Sequence, residues 1–444
     1  MPYYQNALES PMLNGVKIDL NEKFRSVLGM MEQTNNNMLI TGRAGTGKST
    51  LLEYFRTTTK KNVAFLAPTG VAALNIKGQT IHSFFRFKPD ITLDAVQKIP
   101  GYFRAKYLAL DMLVIDEISM VRADMLDCID RFLRLNGREP SLPFGGVQMT
   151  LVGDLYQLPP IVTREEEGMF SGPYKSQYFF DSFSFKDLDV HHVELERHYR
   201  HTEEYFIGLL NAIRNNTATE EQLEMLNTRY NPSFQPDASK MYVTLTTTNR
   251  IADEMNANEL RKLNTKEHTY ASAIEGDFDR KILPADDILR IKEGTQIMLL
   301  NNDKEKRWVN GSVGKIIKID SEVTGDVISV ELLDGTPVEV NRHIWDIFRF
   351  AYDKKERKLV PKVAGSFTQY PITPAWAVTI HKSQGKTFSN VIIDIGSGTF
   401  ANGQLYVALS RCTTLKGIVL RRIIERRHIL TDPRVAAFLN RYGD

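Results

Sequence analysis

The chain has 444 residues, of which 42% are hydrophobic and 25% charged, and a formal net charge of +2. Those values predict a globular protein of roughly two to four domains. They exclude a membrane span, since nothing approaches ~18 consecutive apolar residues, and a disulfide scaffold, since Cys128 and Cys412 are the only cysteines.

Residues 1–16 read as a flexible tail without the basic start and apolar core of a secretory signal. With so few cysteines, a reduced, cytoplasmic protein is expected. Met38-Leu39-Ile40-Thr41 predicts a short buried strand, followed by a glycine-rich turn and a helix over Ser49–Thr59. Val63–Leu66 predicts the next strand and Gly70–Ile76 a short helix. Leu110–Ile115 and Met149–Val152 are continuous apolar runs, as expected of strands covered on both faces. Strands alternating with helices predict a parallel α/β sheet.

A second block starts near Leu195, with helices predicted over Tyr205–Arg214, Glu220–Arg229 and Arg250–Leu263 around a strand at Met241–Thr246. From Gly294 to about Gly365 the pattern changes to short strand-like runs separated by Asn310-Gly311 and Asp334-Gly335, a hairpin signal. This predicts a small β-barrel inserted into an α/β domain, whose texture returns at Ala375–Thr379, Val391–Ile395 and Ile418–Leu420. Residues 411–441 carry eight lysines and arginines against Glu425 and Asp432. That excess fits a solvated helix face or a patch turned to phosphates.

Three stretches carry chemistry. Gly42-Arg43-Ala44-Gly45-Thr46-Gly47-Lys48-Ser49 fits G-x-x-x-x-G-K-[ST], between a strand and a helix. Its backbone N–H groups converge on phosphate oxygens, Lys48 reaches the β- and γ-phosphates, and the Ser49 hydroxyl ligates Mg²⁺. The helix that follows aims its N-terminus at the anion. Leu113-Val114-Ile115-Asp116-Glu117 ends a buried strand in two carboxylates, Asp116 to hold Mg²⁺ and Glu117 to orient and deprotonate the attacking water. Leu151-Val152-Gly153-Asp154 is a third strand, and Gln157 beyond its carboxyl end is placed to sense the γ-phosphate or the attacking water.

Further segments add a resemblance. Ala67–Leu74 with Gly78–Phe85, Asp116–Val121 with Asp124–Asp127, Gly153–Pro160, Leu195–Arg200, Ala377–Gly385 and Tyr406–Arg411 resemble, in order, motifs Ia, II, III, IV, V and VI of the PIF-one (petite integration frequency) helicases. That family belongs to subgroup B of superfamily one and is related to RecD. The matches span residues 42 to 411.

The resemblance implies two RecA-like P-loop NTPase domains with parallel sheets and ATP between them, plus an SH3-like β-barrel insert in the second. The expected division is a tail over 1–16, a first RecA-like domain over 17–194 with a small insert near 84–106, a second over 195–293 and 366–444, and the SH3-like insert over 294–365. It implies an ATP- and Mg²⁺-dependent 5′-to-3′ DNA helicase that acts in replication, repair or recombination. Nucleotide contacts are implied for Gly42, Ala44, Gly45, Thr46, Gly47, Lys48, Ser49, Thr50 and Gly385, with Arg200 and Arg411 as cations on the γ-phosphate. Contacts to single-stranded DNA are implied for Thr69, Gly70, Thr80, His82, Phe84, Thr379, His381, Lys382 and Ser383. Single strands and single/double-strand junctions are the expected partners, with G-quadruplexes and RNA–DNA hybrids as further ones. A monomer, nucleoid-associated if bacterial and with no membrane contact, is the family-based expectation. One feature departs from the pattern. The segment Leu20-Asn21-Glu22-Lys23-Phe24 lacks the glutamine that usually reads adenine upstream of the P-loop, which leaves base selection open.

Overall fold

The computed structural model describes residues 12–13, 16–162, 166–170, 172–197, 203–278, 280, 283–322, 325–396 and 398–442. Its first half is built on six parallel strands, β1 (Asn37–Gly42), β2 (Val63–Ala67), β3 (Gln79–Thr80), β4 (Met112–Ile115), β5 (Gln148–Gly153) and β6 (Val190–Leu195), in the order β3-β2-β4-β5-β1-β6. The helices are α1 (Glu22–Gln33), α2 (Lys48–Thr58), α3 (Gly70–Asn75), α4 (Ile81–Phe85), α5 (Gly101–Leu108) and α6 (Ala123–Asn136).

Alternate strand residues face opposite ways, and both faces of this sheet are covered. Leu39, Leu113 and Leu151 point to one side, against Phe85, Tyr107 and Phe132. Met38, Ile40, Val114 and Val152 point to the other, against Val27 of α1 and Leu51 and Phe55 of α2. Each such buried side chain contributes about 1.5–3 kcal/mol. That double burial explains the uninterrupted apolar runs.

Phe84, expected at the nucleic acid, is instead fully buried. Its ring meets Phe85, Tyr107 and Phe350 edge-on at centroid distances of 4.9, 5.4 and 6.1 Å. α4 is only five residues long and turns Ile81, Phe84 and Phe85 together into the core. Phe84 is therefore a core side chain and offers no surface to a base.

The second half has α7 (Glu204–Arg214), β7 (Val243–Thr246) and α8 (Asn249–Lys262), then an antiparallel region. That region comprises β8 (Glu267–Ala271), β9 (Ala273–Gly276), β10 (Ile288–Lys292), β11 (Gln296–Leu299), β12 (Val313–Glu322), β13 (Gly325–Leu332), β14 (Pro337–Val340), β15 (His343–Asp353), β16 (Lys358–Gln369) and β17 (Ile372–Pro374). The chain then returns through β18 (Ala377–Thr379), β19 (Val391–Asp394), α9 (Gln404–Leu409) and β20 (Ile418–Leu420). β18-β7-β19-β20 form a second all-parallel sheet. The two parallel α/β sheets are those expected of paired RecA-like domains.

The antiparallel strands form the sheets β14-β13-β12-β11-β17, β9-β16-β15 and β8-β10. A tight hairpin falls at Asp334-Gly335, as read from the sequence, whereas Asn310-Gly311 lies at the end of the longer connection over 300–312 that joins the antiparallel pair β11 and β12. The region is wider than 294–365, however, starting at Glu267 and ending at Pro374. β8 alternates exposed and half-buried positions, so no apolar run announces it. The long β15–β16 hairpin reaches back to the first sheet. There the Phe350 N–H donates to Gln79 Oε1 at 3.2 Å and the Leu359 N–H to Asn62 Oδ1 at 2.9 Å. Among the described residues, no helix is long and apolar enough to cross a membrane.

Candidate functional site

β1 ends at Gly42 and α2 begins at Lys48, so five residues make the turn between them. Gly47 precedes α2 with φ +88°, a left-handed conformation that glycine adopts without a Cβ penalty. Lys48 folds back over the turn and donates to Gly42 O at 2.6 Å and Arg43 O at 3.0 Å. Burial lowers its pKa, and the nearby carboxylates of Asp154, Glu117 and Asp116 oppose that shift. Those three acids and Lys48 are thus within electrostatic reach of one another.

Asp116 and Glu117 follow β4 directly. The Glu117 N–H donates to Asp116 Oδ1 at 2.9 Å, and Glu117 has φ +52°. That conformation is uncommon outside glycine and costs on the order of 1–3 kcal/mol. Desolvation raises both pKa values, Glu117 to about 7, with Asp116 adding to the Glu117 shift and Lys48 opposing it.

Asp154, just past β5, is fully buried and joins the two halves. Its Oδ2 accepts from Gln157 Nε2 at 3.2 Å and from the Tyr406 hydroxyl of α9 at 3.1 Å. Its Oδ1 lies 3.4 Å from Arg214 Nη2, at the end of α7. The same guanidinium lies 3.6 Å from Glu194 and 4.2 Å from the centre of the Tyr156 ring. The Tyr406 hydroxyl also accepts from the Ala44 N–H of the P-loop at 3.4 Å. Gln157 Oε1 accepts from Gln384 Nε2 at 2.8 Å. Gly403 (φ +72°) completes the seam, since a Cβ there would lie 2.3 Å from Tyr156 O. Asp154, Arg214 and Tyr406 were given no role by the sequence reading. Arg214 was detectable, because it follows Leu210 by four residues and so falls on the buried face of α7.

The two expected arginines fare differently. Arg200 lies outside the described residues. Arg411 is fully buried and donates to Val407 O at 3.0 Å, Lys386 O at 3.2 Å, Ser383 O at 3.4 Å and Ser410 Oγ at 2.8 Å. In this arrangement it is tied to the loop around 383–386, and its charge lowers the Glu117 pKa. Much of the arginine-rich segment is likewise engaged by its own chain, through Arg426–Glu220, Arg427–Glu425 and Arg434–Asp432. That favours a largely structural task for those three side chains.

The nucleic-acid candidates divide into two groups at the carboxyl ends of the sheets. Thr69 and Thr80 cap α3 and α4, accepting from the Ala72 and Ser83 N–H groups, and Gly70 is buried as the first residue of α3. His82 is half-buried, with a pKa lowered by burial and then by Arg122. On the second sheet, Thr379 Oγ1 accepts from the Lys382 N–H, the His381 ring stacks at 6.5 Å on exposed Phe400, and Lys382 is exposed. Ser383 is fully buried and donates to Ile380 O at 2.7 Å. Its hydroxyl therefore braces the turn and is not presented to a strand. Gly385 is exposed at φ +78°, and Ser49 and Thr50 sit in the first turn of α2.

A P-loop closed against a second parallel sheet defines a helicase-type P-loop NTPase of two RecA-like domains. The PIF1-like helicase model matches residues 18–224 and a UvrD-like helicase C-terminal domain matches 374–419. The chain is 31% identical to the ATP-dependent DNA helicase Pif1 of Bdellovibrio bacteriovorus over 98% of its own length and 96% of that protein. It therefore belongs to the PIF1-like helicase family. It is also 31% identical to human ATP-dependent DNA helicase PIF1, of which it spans 64%. Among solved structures it is similar to unliganded Bacteroides Pif1 (TM-score 0.87, 36% identity, covering 96% of this chain and 98% of that one). Against Bacteroides Pif1 bound to single-stranded DNA the TM-score is 0.67, at 36% identity and 96% and 97% coverage.

Proposed function

We propose that this protein hydrolyses ATP to move 5′-to-3′ along single-stranded DNA and to open duplexes ahead of it. The observation that carries the reading is the position of Asp154. Its charge acts on Lys48, as do those of Asp116 and Glu117, while it is bonded to Tyr406 and Arg214 of the second parallel sheet's domain. A change in phosphate occupancy at Lys48 is then felt at the joint between domains, and hydrolysis becomes motion. The relatives' names and the DNA-bound Bacteroides structure support DNA as the track.

In this reading Gly42, Ala44, Gly45, Thr46, Gly47, Lys48, Ser49, Thr50 and Gly385 hold the nucleotide. A hydroxyl and a carboxylate suit a hard cation, and Asp116 is a desolvated carboxylate that accepts from the Glu117 N–H. Ser49 and Asp116 would therefore hold Mg²⁺, which would supply charge neutralisation on the phosphates. Glu117 takes the proton of the attacking water, and Gln157 links the γ-phosphate position to Gln384. Arg200 and Arg411 are assigned to transition-state charge in the closed state, where such a cation is worth ~10³–10⁵ in rate. Thr69, Thr80, His82, Thr379, His381 and Lys382 face the strand. The working division keeps a first RecA-like domain over 17–194 and a second around 195–266 and 375–444, with the antiparallel unit between them read as SH3-like.

A strand-displacement assay with one-sided tails tests the whole. Unwinding of substrates with a 5′ tail is expected, and unwinding only with a 3′ tail overturns the assignment. Steady-state ATPase near zero with saturating single strands would instead favour a nucleotide-gated clamp.

A further inference from the structure

Arg214 ends α7 in the second domain, yet its guanidinium is buried against the first. Its Nη2 lies 3.4 Å from Asp154 Oδ1 and 3.6 Å from Glu194 Oε1 at the end of β6, and its Cζ lies 4.2 Å from the centre of the Tyr156 ring. A well-made guanidinium–carboxylate bond measures ~2.7–2.9 Å. Both contacts are longer, and the Arg214 Nε has no partner among the described residues. A buried cation held this loosely has room to tighten when the two domains move together.

The carboxylate that Arg214 faces fixes an amide. An ionised carboxylate only accepts, whereas a glutamine amide has a donor end and an acceptor end. Asp154 Oδ2, 3.2 Å from Gln157, therefore takes the amino end, and Gln157 Oε1 is left to accept from Gln384 Nε2 at 2.8 Å. One N–H of that amino group remains. A phosphate, itself an acceptor, can be met by that N–H and not by the carbonyl end. The Tyr406 hydroxyl shares Oδ2 but is neutral, and Lys48 acts on Asp154 from within the first domain. Removing Arg214 leaves the buried carboxylate without the cation paired with it, and a carboxylate in that position takes up a proton. The neutral acid can donate to Gln157 Oε1, and the amide is no longer held one way round. We infer that Arg214 is a positioning residue for hydrolysis, setting through Asp154 which end of the Gln157 amide meets the γ-phosphate. The sensor in the first domain thereby reads the position of the second. The inference rests on reading Gln157 as the group beside the γ-phosphate.

The test is a double-mutant cycle on ATP hydrolysis by the full chain with saturating single-stranded DNA. Arg214→Met should lower kcat by about 10- to 100-fold and leave KM for ATP within about threefold of wild type, because the lost contact is made only as the phosphate reacts. Arg214→Lys returns a cation to one carboxylate and should recover all but about threefold of kcat. In a Gln157→Ala chain, Arg214→Met should cost less than about threefold more. A residue that only braces the fold costs as much in that chain as in wild type, and such additivity overturns the inference. Full activity of Gln157→Ala, or an Arg214→Lys chain no better than Arg214→Met, overturns it as well. If Arg214→Met does not fold, Arg214→Lys takes its place in the cycle. A loss of about threefold in wild type and none in Gln157→Ala then supports the inference, and the same result in both chains overturns it. A wild-type chain that hydrolyses no ATP removes the hydrolase reading and this inference together. An active wild type with an additive cycle removes this inference alone.

Discussion

The Tyr406 hydroxyl donates to Oδ2 of Asp154 at 3.1 Å, joining residues 252 positions apart across the cleft between the two parallel sheets. Asp154 lies just past the strand beside β1, and Tyr406 lies in the helix five residues before Arg411. Burial, and then the Asp154 charge, push the Tyr406 phenol well above its usual pKa, so it stays a donor at any working pH. A hydrogen bond to a charged group contributes about 1.5–3 kcal/mol. Tyr406→Phe keeps the ring and removes only the hydroxyl. DNA-stimulated ATPase should fall about 10- to 100-fold, while the thermal midpoint moves by a few degrees, because Arg214 still pairs with Asp154. Full DNA stimulation in the variant would separate this contact from coupling.

Glu117 gives a pH dependence with a defined sign. Its pKa is raised from 4.5 to about 7, first by desolvation and then by Asp116. Between about pH 4.5 and 7 the folded protein therefore holds a proton that the unfolded chain has released. Stability conferred by this group is present below about pH 4.5 and is lost as pH rises to about 7. Activity runs the other way, because a general base must be ionised. The kcat/KM for ATP should rise with pH through an apparent pKa near 7. Glu117→Gln should bind nucleotide with little turnover and show a flatter decline of thermal midpoint between pH 5 and 7. Full ATPase in that variant excludes Glu117 as the base.

Phe84 now predicts a stability defect. Fully buried and ringed by Phe85, Tyr107 and Phe350, it leaves a cavity when truncated. Phe84→Ala should cost about 3–5 kcal/mol in unfolding free energy, while Phe84→Leu, nearer in volume, costs less. The affinity of folded Phe84→Leu for a single-stranded oligonucleotide should stay within about twofold of wild type. A loss of affinity at unchanged stability would return the ring to the nucleic acid.

What the sequence disclosed follows from how local each feature is. The P-loop is eight consecutive residues, and Asp116-Glu117 ends a continuous buried run, so both the chemistry and its setting were visible in order. The second parallel sheet was visible for the same reason, since Val391, Ile392 and Ile393 and then Ile418–Leu420 are buried apolar runs. The cross-cleft joint was not. Asp154, Arg214 and Tyr406 come from three separate stretches, and only folding brings them together. Ser383 and Phe84 show the converse. A serine or phenylalanine in a recognised stretch does not reveal which way it faces, and here packing turns both inward. The strands β8 and β9 escaped because their alternation is between exposed and half-buried positions, without the apolar contrast that marks a covered face.

Lys106 makes docking of the β15–β16 hairpin sensitive to pH. It lies on α5, donates to Phe84 O at 2.9 Å, and sits 4.3 Å from the centre of the Phe84 ring, beside the Phe350 contact of the hairpin. The charges that face it are both cations, Arg86 just after α4 and Arg349 on β15, and with desolvation they lower its pKa to about 7. Arg349 is itself paired with Asp277. A lysine relieved by undocking of Arg349 and of the cover of the hairpin moves back toward the ordinary value near 10.4. Between about pH 7 and 10 the undocked state then holds a proton that the docked state lacks, so raising pH through this window favours docking. Below about pH 7 both states are protonated and the dependence vanishes. Energy transfer between labels at the exposed positions Tyr102 and Lys355 reads the docked fraction directly. It should climb from pH 7 to 9 in the wild-type chain and stay level in Lys106→Met, which keeps the apolar stem and removes the charge. An equal climb in both would mean that another group controls the hairpin.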